Sequence, residues 1–525
     1  MRPQALACLL LLAAYPLQGQ VEEHAHRERL GTVAFPISCN SAAQAHFTRA
    51  VALLHSFWYE EAEKGFLETA KADPACGMAW WGVAMSNYHQ VWPSPYSPAE
   101  LARGISAAGK AVAAGARTER EKTYIDAIAA FYRDAETVDI VSRARAYEAV
   151  MQRLTTTFPD DDEGEIFYGL ALIAHGMSTP ADKTYAFQKK AAEIFNRLLR
   201  KHPDHPGLAH YLIHSFDYPS LAPLALDAAY AYAKIAPSSP HALHMPSHIF
   251  VRLGMWPETI ESNLSSAKAA RDHAARTHPG TAAFDALHAY DYLAYAYLQT
   301  GDDDKVRQLA DELSEIKALD VENFAGYYAL AAVPARLALE RRRWNDAAEL
   351  TVRPADFPWD RYPYAEALIY FARAIGQARR GEPAKARADV AQLEQLREKL
   401  LNAKNPYWAG QVDVEIRAAE GWIARAEGRN GEAETLLRSA AELEDSTDKS
   451  PVTPGSLLPA REMLGDLLLE LNQPQKALES YERSLKDSPN RLNGLSGAAR
   501  AAQSAGDVAK ARSYYVRIAR LLTPP

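Results

Sequence analysis

The C-terminal part of the chain repeats a residue pattern with a period of 34, and this period restricts the fold more than any other feature. The pattern places small, aromatic and proline residues at fixed offsets of 0, 12, 16 and 24: Gly465, Ala477, Tyr481 and Pro489. A further 34 residues from Ala477 and Tyr481 stand Ala511 and Tyr515. A unit of this length holds one pair of helices with an exposed apolar face, so neighbouring units have to stack.

The same pattern occurs upstream, in Ala62, Phe66 and Pro74 and again in Ala191, Phe195 and Pro203. These residues resemble the tetratricopeptide repeat (TPR) superfamily, in which small residues let two helices approach and a proline ends the second helix. The resemblance implies an all-α fold, an α-solenoid of stacked TPR-like hairpins in a right-handed superhelix. It covers most of the chain, in roughly ten to twelve hairpins.

Strength and register of the repeats divide the chain into regions. We expect a signal peptide at 1–19, an N-terminal TPR-like region at 36–140 and a central TPR-like region at 141–300. A helical repeat region at 301–445 and a C-terminal TPR pair at 458–525 follow.

The first residues predict export. One charge at Arg2 precedes an apolar run from Ala5 to Ala14, which is shorter than the roughly 20 residues that span a bilayer. We therefore expect a periplasmic or extracellular protein without a membrane span. After cleavage two cysteines remain, Cys39 and Cys76, and an oxidising compartment favours a disulfide between them.

Charge predicts the class of partner. The chain of 525 residues has 58 Lys and Arg against 66 Asp and Glu, a net charge of -8 without a basic block. This balance argues against nucleic acid, which basic patches attract. We expect a protein or peptide partner in the concave groove that stacked repeats form.

Histidines are concentrated in the central region. Ten of the 16 histidines lie between His202 and His288. His210 and His214 are four residues apart, as are His244 and His248, and each member of the second pair follows its counterpart by 34. Two pairs at equal positions of consecutive repeats are predicted to converge across adjacent inner helices.

Three interpretations of these histidines remain open. The four imidazoles, or three with Asp217, suit zinc or copper, and an open coordination position could activate water. Arg252, one turn after His248, instead suits a groove for a carboxylate or phosphate, with Tyr218 beside it. The histidines could also pack as polar core residues. Pro246 predicts that the helix carrying His244 starts near Leu243.

The segments HYLIHSFDYP and HALHMPSHIFVRLGMW also resemble a group of exported bacterial repeat proteins, a resemblance that supports export and implies no mechanism. Motifs such as HExxH, GxSxG and the phosphate-binding GxxxxGK[ST] are absent from the sequence. Two functions are compatible with these observations. The first is an exported TPR scaffold that binds a peptide or protein; the alternative is a zinc- or copper-binding protein or metal-dependent hydrolase that uses the histidine cluster.

Overall fold

The fold is built from helices alone. The structure, a computed structural model, describes residues 28–91 and 97–523. Within these ranges there is no β-strand, and the only extended pairing is an isolated bridge between Ala282 and Leu319. The predicted all-α solenoid of stacked hairpins is confirmed. The expected signal peptide at 1–19 lies outside the described residues.

The first nine helices form the N-terminal part of the array. They are α1 (Ser41–His55), α2 (Tyr59–Ala72), α3 (Gly77–Ser86), α4 (Pro98–Ala114), α5 (Glu119–Tyr132), α6 (Ile140–Thr157), α7 (Asp162–Met177), α8 (Ala186–Lys201) and α9 (Pro206–Phe216).

The middle part starts with a short 3-10 helix at Ala222–Ala225. It continues with α10 (Leu226–Ile235), α11 (Pro240–His244), α12 (Pro246–Leu253), α13 (Trp256–Thr277), α14 (Phe284–Thr300), α15 (Asp303–Ser314), α16 (Phe324–Glu340) and α17 (Trp344–Ala348).

The C-terminal part follows a second 3-10 helix at Trp359–Arg361. It consists of α18 (Pro363–Arg379), α19 (Pro383–Asn402), α20 (Pro406–Ala426), α21 (Asn430–Ser446), α22 (Ala460–Glu470), α23 (Pro474–Asp487), α24 (Leu492–Ser504) and α25 (Val508–Leu522).

Each helix packs on the next, and along much of the array helices two apart also contact each other. The inner row includes α1, α3, α7 and α9 in the first half and α14, α16, α18 and α20 in the second. This row buries both of its sides: α14, for example, is buried at almost every position from Ala286 to Gln299. The histidine-rich region lies where the two halves of this row meet.

Glycines opposite aromatic rings set the close helix contacts. A Cβ on Gly465 or Gly497 would lie 2.7 or 2.2 Å from the ring of Tyr481, which is too close for a carbon contact. Phe66 has the same relation to Gly82, with a distance of 2.1 Å. The repeat positions recognised in the sequence are therefore packing positions, as predicted.

The N-terminal segment is fixed to the array by a covalent bond and by core contacts. Cys39 and Cys76 form a disulfide with their Cα atoms 5.5 Å apart. Phe35, just before it, is buried against the rings of Phe47 and Trp81. Of the helices in the described part of the chain, none combines the length and apolar character that crossing a membrane requires.

A connection without helix, residues 447–459 between α21 and α22, lies across the inner row; we call it the strap. The Arg336 guanidinium on α16 donates to Thr453 Oγ1 and to the Gly455 carbonyl, both at 2.8 Å. The Tyr292 hydroxyl on α14 donates to the Pro451 carbonyl at 2.9 Å. Every strap residue is buried or half-buried, so the strap fills part of the concave face.

Candidate functional site: two histidine triads

The four predicted histidines lie on three helices, α9, α11 and α12. His210 and His214 are one turn apart on α9, His244 ends α11, and His248 is on α12. The predicted helix start near Leu243 is wrong, because α11 already begins at Pro240. Pro246 lacks an N–H and interrupts the hydrogen bonds, but Met245 keeps right-handed helical angles of -53° and -35°. The i, i+4 relation of His244 and His248 is thereby preserved.

The histidines form two groups of three rather than the predicted quartet. In each group one nitrogen of every ring lies within 4.8 Å of the others. Triad one is His210, His214 and His241; triad two is His244, His248 and His288. His288 comes from α14, so triad two joins two hairpins of the array.

In triad one, the imidazole of His210 is oriented by the backbone. Its Nδ1 lies 2.6 Å from the His55 carbonyl oxygen, which only accepts, so Nδ1 carries the proton. The Nε2 lone pair of neutral His210 then faces His214 Nε2 and His241 Nε2, each at 3.1 Å. Three nitrogens therefore converge on one point.

Triad two has the same arrangement with two oriented rings. His244 Nδ1 donates to Asn263 Oδ1 at 2.6 Å, and Asn263 Nδ2 donates to the Thr259 carbonyl, which fixes the amide orientation. His248 Nδ1 donates to Asp217 Oδ2 at 3.0 Å. Since both Nδ1 atoms carry protons, the Nε2 atoms of these neutral rings are acceptors, yet they lie only 3.0 Å apart.

This spacing matches ligands of one metal ion. Two nitrogens about 2.0–2.1 Å from zinc are separated by about 3.3 Å at a tetrahedral angle and about 2.9 Å at a right angle. A histidine that binds a metal through one ring nitrogen usually donates the N–H of the other nitrogen to an oxygen, as these Nδ1 atoms do. In triad two the buried Nδ1 of His288 has no hydrogen-bond partner among the described residues.

Burial keeps these imidazoles neutral. It is the main cause that lowers the pKa of His214 to about 3, and it lowers the pKa of His210, His244 and His288 well below the usual range. Neighbouring histidines add to the effect, because two imidazolium ions repel each other. Neutral imidazole is the form that binds a metal.

The two triads are adjacent. The rings of His214 and His248 have centroids 6.2 Å apart, and those of His241 and His244 are 6.3 Å apart. These distances are little longer than the 4.8 Å between His210 and His214 within triad one. The arrangement can therefore hold two metal ions in one centre.

Asp217, which the sequence predicted as a metal ligand, has both carboxylate oxygens engaged by side chains of the protein. Its Oδ2 accepts from His248 Nδ1 and its Oδ1 accepts from Arg252 Nε at 2.8 Å. Burial raises the pKa of Asp217, but Lys449 and Arg252 outweigh it and hold this pKa below the ordinary value. Asp217 is thus ionised and accepts the Nδ1 proton of His248.

The two residues predicted to line a ligand groove are both engaged elsewhere. The Arg252 guanidinium donates to the Asp217 carboxylate and, at 2.8 Å, to the Asp217 backbone carbonyl. Tyr218 accepts from Gln188 Nε2 at 3.0 Å and packs against the Tyr185 ring. Because Arg252 is engaged by Asp217, it is not free to bind an anion in the predicted groove.

The strap closes over triad two. The Tyr292 ring lies 4.6 Å from the His244 ring and 5.1 Å from the His248 ring, and its hydroxyl holds Pro451. Lys449 Nζ lies 3.7 Å from Asp217 Oδ1. Burial, with Arg252 adding to it, lowers the pKa of Lys449 to about 7.

A third cluster, His55, Glu163 and His205, lies behind triad one. His55 Nε2 and His205 Nε2 contact separate oxygens of Glu163, at 3.0 and 3.1 Å. Each oxygen of the carboxylate is thereby used by one imidazole N–H, which makes this cluster a hydrogen-bonded network. It is connected to triad one through His55, whose backbone carbonyl accepts from His210 Nδ1.

Sequence reasoning missed His241 and His288. Both belong to the histidine-rich region, but His241 follows His210 by 31 residues and His288 follows His248 by 40, so neither fits the 34-residue register. Lys449 was missed as well, because no repeat pattern covers the strap.

Comparison with known proteins gives a fold likeness. No protein-family model and no curated protein matches the chain. Similar solved structures include a monomeric mutant of IFIT1 with Gppp-AAAA, with a TM-score of 0.38 and 14% identity over 91% of this chain and 90% of that chain. The human IFIT1 dimer with PPP-AAAA has a TM-score of 0.37 and 13% identity over 84% and 90%. This likeness concerns the helical-repeat fold alone. It does not support the resemblance to exported bacterial repeat proteins that the sequence indicated.

The prediction about partners is wrong in excluding nucleic acid. The IFIT1 structures are helical-repeat chains solved with oligonucleotides such as m7Gppp-AAAA.

Proposed function

We propose that the chain is a metal-binding helical-repeat protein whose two histidine triads hold two zinc or copper ions. The observation that carries this proposal is the contact between His244 Nε2 and His248 Nε2 at 3.0 Å. Both nitrogens are acceptors in the neutral rings, and burial works against placing a proton between them. A metal cation bound to both Nε2 atoms would form a bond with each lone pair and so remove the repulsion between them.

Three imidazoles per ion also suggest what the centre is for. Structural zinc sites are closed by four protein ligands, whereas catalytic sites have three and keep a position for water or substrate. When bound, such ions polarise a ligand and lower the pKa of bound water. A centre with two such positions is suited to act on a bound molecule, in line with a metal-dependent hydrolase.

The strap favours this function over a groove for a long ligand. Near the triads the inner face of the array is covered by residues 447–459, with Tyr292 and Arg336 bonded to the strap backbone. A peptide in this part of the groove would have to displace all of these bonds. The metal centre needs no such displacement.

Export is part of the proposal. The disulfide between Cys39 and Cys76 supports it, since such bonds persist in oxidising compartments and are rare in the cytosol. The apolar run from Ala5 to Ala14 supports it independently.

The proposal is tested by metal content in variants that each lack one triad member. His241→Ala should remove about one of two bound ions, and His288→Ala should remove the other, because each leaves its triad with two imidazoles. His46→Ala, at an exposed position on α1, is the matched control and should keep both ions. Equal metal content in all three variants would contradict the assignment of the triads.

A further inference from the structure

We infer that the metal centre takes a small anion as its additional ligand, and that Lys449 on the strap donates to that anion. This inference rests on the proposed function and names the chemical class of the ligand. It assigns to the strap a direct part in ligand binding.

The charge of the centre requires an anion. Six neutral imidazoles contribute no negative charge, so two divalent ions bring four positive charges into a buried site. Asp217 lies beside the centre, but its charge is matched by Arg252 at 2.8 Å. Uncompensated charge in a protein interior is costly, and it is relieved by a counter-ion.

Lys449 has hydrogen-bond donors to spare. Its Nζ is buried without a hydrogen-bond partner among the described residues. The nearby carboxylate of Asp217 is 3.7 Å away, and both of its oxygens already accept, one from His248 and one from Arg252. A buried amine with unused N–H groups needs an acceptor, and the residues that the structure describes supply none within hydrogen-bond distance.

The amine is placed on the side of triad two. Its Nζ lies 3.7 Å from Asp217 Oδ1, and the other oxygen of this carboxylate accepts from Nδ1 of His248, a member of that triad, at 3.0 Å. An anion bound to the ion of triad two would therefore lie between the metal and the amine.

The cover over the centre limits the size of the anion. Residues 452–455 of the strap are fully buried, and Tyr292 fills the space between the strap and the His244 ring. A carboxylate or a single oxyanion suits a site covered in this way. A longer anionic chain would require the strap to leave the inner row.

The test uses full-length protein loaded with cobalt(II), whose visible absorption reports binding of an anion at the metal. Acetate and inorganic phosphate are titrated separately, which distinguishes a carboxylate from a tetrahedral oxyanion. In Lys449→Met we expect the dissociation constant of the bound anion to rise at least tenfold at unchanged cobalt stoichiometry. Lys449→Arg keeps charge and donors and should stay within about threefold of the wild type. Lys305→Met, an exposed lysine on α15, is the control.

The outcomes separate this inference from the proposed function. Wild-type protein that takes up no cobalt would contradict the metal centre itself. Full cobalt loading with no spectral response to either anion, or with an unchanged dissociation constant in Lys449→Met, would overturn the role of Lys449. If Lys449→Met does not fold, Lys449→Gln, which keeps a polar donor but no charge, is measured by the same criterion.

Discussion

His244 and His248 face each other with their Nε2 atoms 3.0 Å apart, while the Nδ1 atom of each ring donates to a fixed oxygen. Asn263 and Asp217 supply those oxygens and so determine which nitrogen of each ring is left to bind a metal. These two hydrogen bonds thus fix the orientation and the tautomer of both rings.

Removing the oxygen that orients the His244 imidazole should weaken metal binding without removing a metal ligand. Asn263→Ala deletes the acceptor of His244 Nδ1, and we expect metal affinity to fall about 10–100-fold. Competition with a chromophoric chelator measures the change. The control Asn196→Ala removes an exposed amide on α8 and should leave affinity unchanged. Equal affinities for the two variants would argue against an orienting role of Asn263.

The metal-free protein should lose stability as the pH falls, in part through His214. The pKa of His214 is lowered to about 3 by burial and by His248, so below about pH 6.5 the unfolded chain binds a proton that the folded chain rejects. Stability is therefore lost as pH falls through this window, by about 2 kcal/mol between pH 7 and pH 5 for this one group.

His214→Gln provides the reference for that measurement, because buried acids such as Asp285 and Glu415 have raised pKa values of about 7 and about 8 and act in the opposite direction. Their contributions cancel when the two chains are compared. Urea unfolding at both pH values should show the smaller loss in His214→Gln. An identical loss of stability in the wild type and in His214→Gln would mean that the pKa of His214 is not lowered in the folded protein.

The disulfide should be present in protein recovered from an oxidising compartment. Denatured, unreduced protein should contain no alkylatable thiol at Cys39 or Cys76, and mass spectrometry after labelling measures this directly. Closing a loop with a sequence separation of 37 restricts the unfolded chain, so Cys39→Ser together with Cys76→Ser should cost about 4 kcal/mol. Two labelled thiols before reduction would refute the bond and weaken the case for export.

Two glycine substitutions should have effects of opposite sign. Gly497→Ala places a methyl group 2.2 Å from the Tyr481 ring and should destabilise the protein by about 1–3 kcal/mol. Gly410→Ala on α20 meets nothing within 4 Å and should stabilise it by about 0.5–1 kcal/mol, because alanine favours helix. Thermal unfolding measures both. Equal effects would contradict the packing register of the C-terminal repeats.

The sequence allowed the helix packing to be predicted because its causes are local and repeated. Tyr481 needs a small residue opposite it in each neighbouring helix, and Gly465 and Gly497 are the result. Such pairs recur at a fixed spacing, so one sequence displays them many times. The strap has no repeat, and its contacts with Tyr292 and Arg336 depend on how far the array curves, which no local pattern records.

The site could be predicted only in part for the same reason. His210, His214, His244 and His248 share positions in consecutive repeats, and the structure brings all four into one centre. Their division into triads depends on His241 and His288, whose sequence spacings do not follow the 34-residue period. Asp217 was predicted as a candidate metal ligand, but its contacts are hydrogen bonds with His248 and Arg252, which only the three-dimensional structure gives.

Metal stoichiometry of the full-length wild-type protein tests the central claim most directly. The protein is stripped with a chelator, incubated with zinc or copper at micromolar concentration, separated from free ions and analysed for its elements. Two histidine triads predict two ions per chain, released together as the pH falls and the imidazoles become protonated. Protein that retains no zinc or copper after this treatment would contradict the account.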